Sequence, residues 1–95
     1  MRSEFRHIAD LPVEAVLGGV IRRTAVRGNA CIVTVDWLKP SHPELPDHSH
    51  DFDQLAFVLA GTIEMRVNGE CHTLHPGDVQ VIPANASHGL RVLGE

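Results

Sequence analysis

A chain of 95 residues, 43% hydrophobic and 21% charged, has room for one small folded domain and is too apolar to stay disordered. Its formal charge of −4, with scattered acids, one lysine (Lys39) and no arginine stripe, argues against a partner built on a phosphate backbone, so no nucleic acid is expected. No run approaches the ~18 apolar residues of a membrane span and no signal-peptide core is visible, so a cytoplasmic protein with no membrane partner and two reduced thiols, Cys31 and Cys71, is expected.

The predicted elements are short strands separated by Gly, Pro and Asn, the pattern of an all-β domain. In the N-terminal stretch "ADLPVEAVL", Asp10 and Pro12 offer the start of a helical turn. Residues 20–26 ("VIRRTAV") read as a first strand and Arg27-Gly28-Asn29 as the turn after it. Residues 30–38 ("ACIVTVDWL") alternate, with Cys31, Val33, Val35 and Trp37 on one face and Thr34 and Asp36 on the other, so Cys31 reads as core. Residues 39–47 hold three prolines and read as a loop, because proline donates nothing to a ladder.

The second half is more sharply punctuated. Residues 54–61 ("QLAFVLAG") read as a buried strand ended by Gly61. "TIEMRV", Asn68-Gly69 and "ECHTL" make the clearest hairpin, since Asn-Gly suits the positive φ values of a type I′ turn. Pro76-Gly77 is placed for a type II turn, and residues 78–83 and 88–93 read as two further strands. Seven or so short strands with no long helix predict a small sandwich or barrel.

Seven histidines are the compositional oddity. His48 and His50 stand at i and i+2, which on a strand point the same way, and Gln54 joins them if the strand runs on. Two imidazoles side by side can grip one ion, and His88, after the turn-rich "PANAS", is the candidate third ligand. Asn85 in that turn tolerates a left-handed backbone. His7, His42, His72 and His75 read as surface residues; Cys71 and His72 are adjacent on a strand and face opposite ways.

These stretches resemble the cupin superfamily. "HSHDFDQLAFVLAG" fits the first cupin motif through His48, His50 and Gly61, and "GDVQVIPANASH" fits the second through Gly77, Pro83 and His88. The resemblance implies one cupin domain over residues 1–95, a double-stranded β-helix or jelly-roll barrel. It also implies a metal held by His48, His50, Gln54 and His88, with Ni, Zn, Fe, Mn or Co all compatible with three nitrogens and one oxygen. A cupin fold that has lost its metal is the competing reading. The pattern departs from the motifs at Gln54 (usually glutamate), Asn85 (usually glycine) and Val92 (usually asparagine). Cupins of this size usually continue into a further pocket-lining strand past the segment ending at Glu95, so the expectation is either that this strand is missing or disordered here or that the barrel is closed another way.

Gln54 has a chemical consequence. Three imidazoles and an amide leave the charge of a divalent ion uncompensated, which favours anion binding and Lewis-acid chemistry. The sequence is similar to small pectin-degradation cupins of the KdgF type, which convert unsaturated uronates to linear keto sugars. That resemblance implies a metal-dependent isomerase, lyase or ring-opening enzyme acting on a small anionic, carboxylated or keto sugar. A non-haem iron dioxygenase and a non-catalytic sensor are the alternatives on the same scaffold. No catalytic acid or base is identifiable; Arg22, Arg23, Arg66 and Arg91 are candidate carboxylate ligands, although solvated strand faces are the simpler reading for each. Leu55, Phe57 and Leu59 share the face opposite Gln54 and are too apolar for open solvent, so a homodimer is expected, with packing by the N-terminal segment as the alternative.

Overall fold

The computed structural model describes residues 2–19, 21–39 and 44–94. His42 and part of the predicted 39–47 loop therefore lie outside the described residues. The chain divides into two compact units, residues 1–39 and 40–95.

The first unit is a three-stranded antiparallel meander: β1 (Glu14–Val16), β2 (Ile21–Arg27) and β3 (Ile32–Leu38), in the order β1-β2-β3. Two short 3-10 turns, Ile8–Asp10 and Leu17–Gly19, flank β1. Asp10 thus closes a turn instead of opening a helix, and the chain after Pro12 is extended. The β2–β3 connection closes with the Gly28 N–H donating to Cys31 O at 2.8 Å. Cys31 belongs to this connection and is exposed, so its expected core position is overturned. Cys31 precedes the ladder, which starts at Ile32, and Val33 and Trp37, which share its parity, are exposed as well. Across the ladder Arg23 donates to both oxygens of Asp36, at 2.8 and 2.9 Å. That hydrogen-bonded carboxylate raises the Arg23 guanidinium above its ordinary pKa, against the desolvation that lowers it.

The second unit holds six strands among the described residues: β4 (Glu44–His48), β5 (Gln54–Phe57), β6 (Thr62–Val67), β7 (Glu70–Leu74), β8 (Val79–Ile82) and β9 (His88–Gly94). They form a four-stranded sheet, β4-β9-β6-β7, and a two-stranded sheet, β5-β8, all pairings antiparallel. The core is Val58, Met65, Leu74, Ile82 and Ala86, flanked by Ala56, Ile63, Val67 and Leu90. Met65 and Ile82 come from different sheets, so the core lies between them, and burying each side chain contributes about 1.5–3 kcal/mol.

The expected turns are present. Asn68 (φ 49°) and Gly69 (φ 83°) both take the left-handed region in the β6–β7 hairpin. Gly77 (φ 92°) sits in the turn where the Asp78 N–H reaches His75 O. Asn85 takes φ 68°, the glycine-like conformation expected of it.

The proline-rich 39–47 segment is not all loop. Residues 44–48 form β4, with Pro46 inside it. β4 is the last strand of its sheet, and its register against β9 shifts between Leu45 and His48. At such an irregularity on an edge strand, proline's missing N–H costs little. Strand-bearing sheets with almost no helix make this a small all-β jelly roll.

Candidate metal centre

Three backbone devices assemble the histidines. His88 opens β9, directly paired with His48 on one side and Val67 on the other. The Asn68 N–H donates to Ser87 O at 2.7 Å while the Ser87 N–H donates to Asn68 Oδ1 at 3.0 Å. The hairpin turn therefore holds the residue preceding His88. Finally, the Asn85 N–H donates to His50 O at 2.6 Å and the Ala84 N–H to Asp53 Oδ1 at 2.8 Å. These bonds tie the segment carrying His50 to the turn leading into His88.

His48 and His50 do not share one strand, contrary to the i, i+2 expectation. β4 ends at His48, and His50 lies in the connection to β5. The two rings still converge, with centroids 6.0 Å apart, because Asn85 holds the connection at His50. Both rings also meet His88, at 4.3 Å for His48 and 4.8 Å for His50. One ligating nitrogen from each of the three lies within 4.8 Å of the others.

Hydrogen bonds fix which nitrogen each ring offers. Nδ1 faces a backbone carbonyl two residues away in every case: Pro46 O for His48 (3.3 Å), Phe52 O for His50 (2.9 Å) and Ala86 O for His88 (2.9 Å). A carbonyl only accepts, so Nδ1 is the donating nitrogen of each ring and Nε2 is left for a ligand or a further hydrogen bond. This is the outer support that metal-ligating imidazoles ordinarily have. The residue His88 is only 3% exposed, and its Nε2 is buried without a hydrogen-bond partner among the described residues. A buried unpaired acceptor is costly, and a cation removes that cost.

Gln54 opens β5, and its Oε1 lies 2.8 Å from His50 Nε2. With a proton on Nε2 this contact is a hydrogen bond donated to the amide oxygen; without one, 2.8 Å is the spacing of two ligands on a single ion. The expected residues His48, His50, Gln54 and His88 are thus all brought together. The donor set, three imidazole nitrogens and an amide oxygen, fits a divalent transition metal and supplies no negative charge. Phe52, stacked on His50 at 4.1 Å with an interplanar angle of 7°, further limits that ring's rotation.

Three of the arginine candidates are engaged by carboxylates. Arg23 is engaged by Asp36, Arg66 by Asp47 and Arg91 by Glu64, while Arg22 is exposed. His7, His72 and His75 are exposed, as expected. Asn68, Asp53 and Phe52 were not singled out as supports. The Asn-Gly pair marked Asn68 as a turn residue, but its bond to Ser87 spans strands and has no local signal.

A small jelly roll with such a triad defines a cupin. The chain belongs to the Cupin_2 family of cupin domains, which matches residues 37–95. Among its relatives, the pectin degradation protein KdgF of Dickeya dadantii is 41% identical over 49 residues, covering 50% of this chain and 44% of that protein. A 5-nitrosalicylic acid 1,2-dioxygenase from a Bradyrhizobium species is 36% identical over 97 aligned residues, 100% of this chain and 44% of the relative. The HTH-type transcriptional activator RhaS of Mannheimia succiniciproducens is 42% identical over 58 residues, 59% of this chain and 22% of that protein. The chain thus spans less than half the length of these curated relatives. In structure it is similar to KdgF from Halomonas, with a TM-score of 0.86, 24% identity, and coverage of 97% of this chain and 84% of that one. This protein is therefore a small cupin, similar over half of its length to a KdgF-type pectin degradation protein.

Proposed function

We propose that the chain is a metal-dependent cupin enzyme acting by Lewis-acid catalysis on a small carboxylated or keto sugar-type substrate. One divalent transition metal per chain would be held by His48, His50, Gln54 and His88. The observation that carries this reading is the convergence of three imidazoles, each backed through Nδ1 by a main-chain carbonyl, with the Gln54 oxygen, the buried His88 Nε2 having no hydrogen-bond partner among the described residues. When bound, the ion supplies positive charge that lowers the cost of an enolate or ring-opened form. The chain's own residues orient that charge. Main-chain carbonyls hold the imidazoles, Phe52 limits the His50 ring, and neutral Gln54 leaves net charge available to an anionic substrate. The similarity to pectin degradation proteins supports a sugar acid in that role.

A dioxygenase is the second reading, favoured by a 36% identity that extends over the whole chain. A sensor cupin, in line with the similarity to a transcriptional activator, is the third. We also assign residues 1–95 to one cupin domain, place the protein in the cytoplasm and take it to be a homodimer. The dimer reading is supported by the exposed outer face of β5–β8, where Leu55 (69%) stands opposite Val81 (61%) and Phe57 (59%) opposite Val79 (58%).

The test begins with elemental analysis of protein purified without an affinity tag, where about one metal per chain is expected. His88→Ala should lose it, and full occupancy in that variant sinks the assignment. NMR time courses on unsaturated uronates then read ring opening directly, and an oxygen electrode separates the dioxygenase. Saturable binding of a sugar acid with no turnover would favour the sensor.

A further inference from the structure

The geometry points to Arg66, reaching across Gly89 to Asp47 and Leu45, as a positioning residue that fixes the β4 bulge and so aims His48 at His50 and His88. The inference rests on the metal-site reading above and adds how that site is held in shape.

β4 carries His48 on the edge of its sheet, where among the described residues only β9 supports it through a ladder. Leu45 pairs with Leu90 and His48 with His88, so Pro46 and Asp47 together stand opposite Gly89 alone. One of those two residues is a proline with no N–H to give. The local ladder is therefore weak where the direction of His48 is decided. His48 adds little of its own, since its Nδ1 contact to Pro46 O, at 3.3 Å, is the longest of the three and ends on the bulge itself.

Arg66 compensates from the other side of β9. It lies on β6, in register with Gly89, and its guanidinium passes over that glycine to β4. Its Nη2 donates to Leu45 O at 3.0 Å and to Asp47 Oδ1 at 2.9 Å, and its Nε donates to the same Oδ1 at 3.1 Å. Both ends of the bulge are thereby gripped by one planar fork, which a single ammonium cannot reproduce. Gly89 is buried beneath it. A Cβ there would fall 2.6 Å from Arg66 Nη2 and 2.8 Å from Leu45 O, and closer still to Asp47 Oδ1. Glycine is required by this passage, since no positive φ is recorded for it.

Cobalt(II) titration, read by visible absorption, tests the clamp in the full chain. Arg66→Ala and Gly89→Ala should weaken Co(II) binding about tenfold to a hundredfold, the usual scale for residues supporting a ligand, with Arg66→Lys recovering part of it. Arg91→Ala breaks a comparable outer-face pair, Arg91–Glu64 at 3.3 Å, and should leave Co(II) affinity unchanged. In the metal-free protein, the NOE between the His48 and His88 rings should persist in wild type and in Arg91→Ala and vanish in Arg66→Ala. Asp47→Leu, which keeps the side chain's size and removes the acceptor, carries both measurements if Arg66→Ala does not fold. Wild-type Co(II) affinity together with an intact NOE in Arg66→Ala, or in Asp47→Leu if that is the folded variant, overturns the clamp. If wild type takes up no Co(II), the metal reading fails, and the NOE alone decides whether Arg66 positions His48.

Discussion

Gln54 is the residue whose identity has most influence on this centre. An amide oxygen ligates without charge, whereas the glutamate usual in the motif would neutralise half of a divalent ion. Gln54→Glu is nearly isosteric, so it isolates charge. At the few ångströms separating residue 54 from His50 Nε2, one added carboxylate should tighten divalent-metal binding by about tenfold or more. The same change should weaken a bound sugar acid by a similar factor, because the anion then meets less net positive charge. Competitive metal titration and isothermal calorimetry check the two directions. Parallel changes in both affinities would contradict the electrostatic role. His88 is the complementary case, a buried ligand whose removal to alanine should abolish metal uptake while circular dichroism still reports a β-rich fold. The convergence of His48, His50 and His88 was foreshadowed in the sequence because imidazoles at motif spacing are a local signal. Their tautomers were not, since those follow from the carbonyls of Pro46, Phe52 and Ala86, whose directions only the folded backbone defines.

At the scale of elements, what could be read ahead of the structure was what short-range stereochemistry decides. The β6–β7 hairpin follows from Asn68-Gly69, and the Asn85 turn from that side chain's tolerance of left-handed backbone. Asn85 at φ 68° makes a quantitative prediction. Asn85→Val should cost about 1–3 kcal/mol in urea unfolding, while Asn85→Gly should stay within about half of one. If the valine variant unfolds at the wild-type midpoint, the turn is unstrained and plays no part in placing His88. β4 escaped the reading because proline normally breaks ladders, and its acceptance here depends on an edge position and a bulge that no nearby residue announces. The exposure of Cys31 escaped for a different reason: alternation says which residues share a face but not whether that face is covered, and Val33 and Trp37 are exposed along with it.

For the molecule as a whole, the outward face of β5–β8 bears on solution behaviour. Its apolar cross-strand pairs are the sort of patch that isolated monomers usually avoid. Phe57→Asp should therefore convert a dimer to a monomer in light scattering coupled to gel filtration, with metal content preserved because residue 57 faces away from Gln54. A wild-type protein that already runs as a monomer refutes the dimer. A second molecular property follows from the way the three imidazoles are fastened. Each one is anchored through its rear nitrogen to a carbonyl of its own segment, so the coordinating side is ready before any ion arrives. Exchanging one first-row ion for another then demands little rearrangement of the chain. A cradle this indifferent would discriminate weakly by shape, so any ion it held would be set by the intrinsic order of metal affinities and by which metals are free around it.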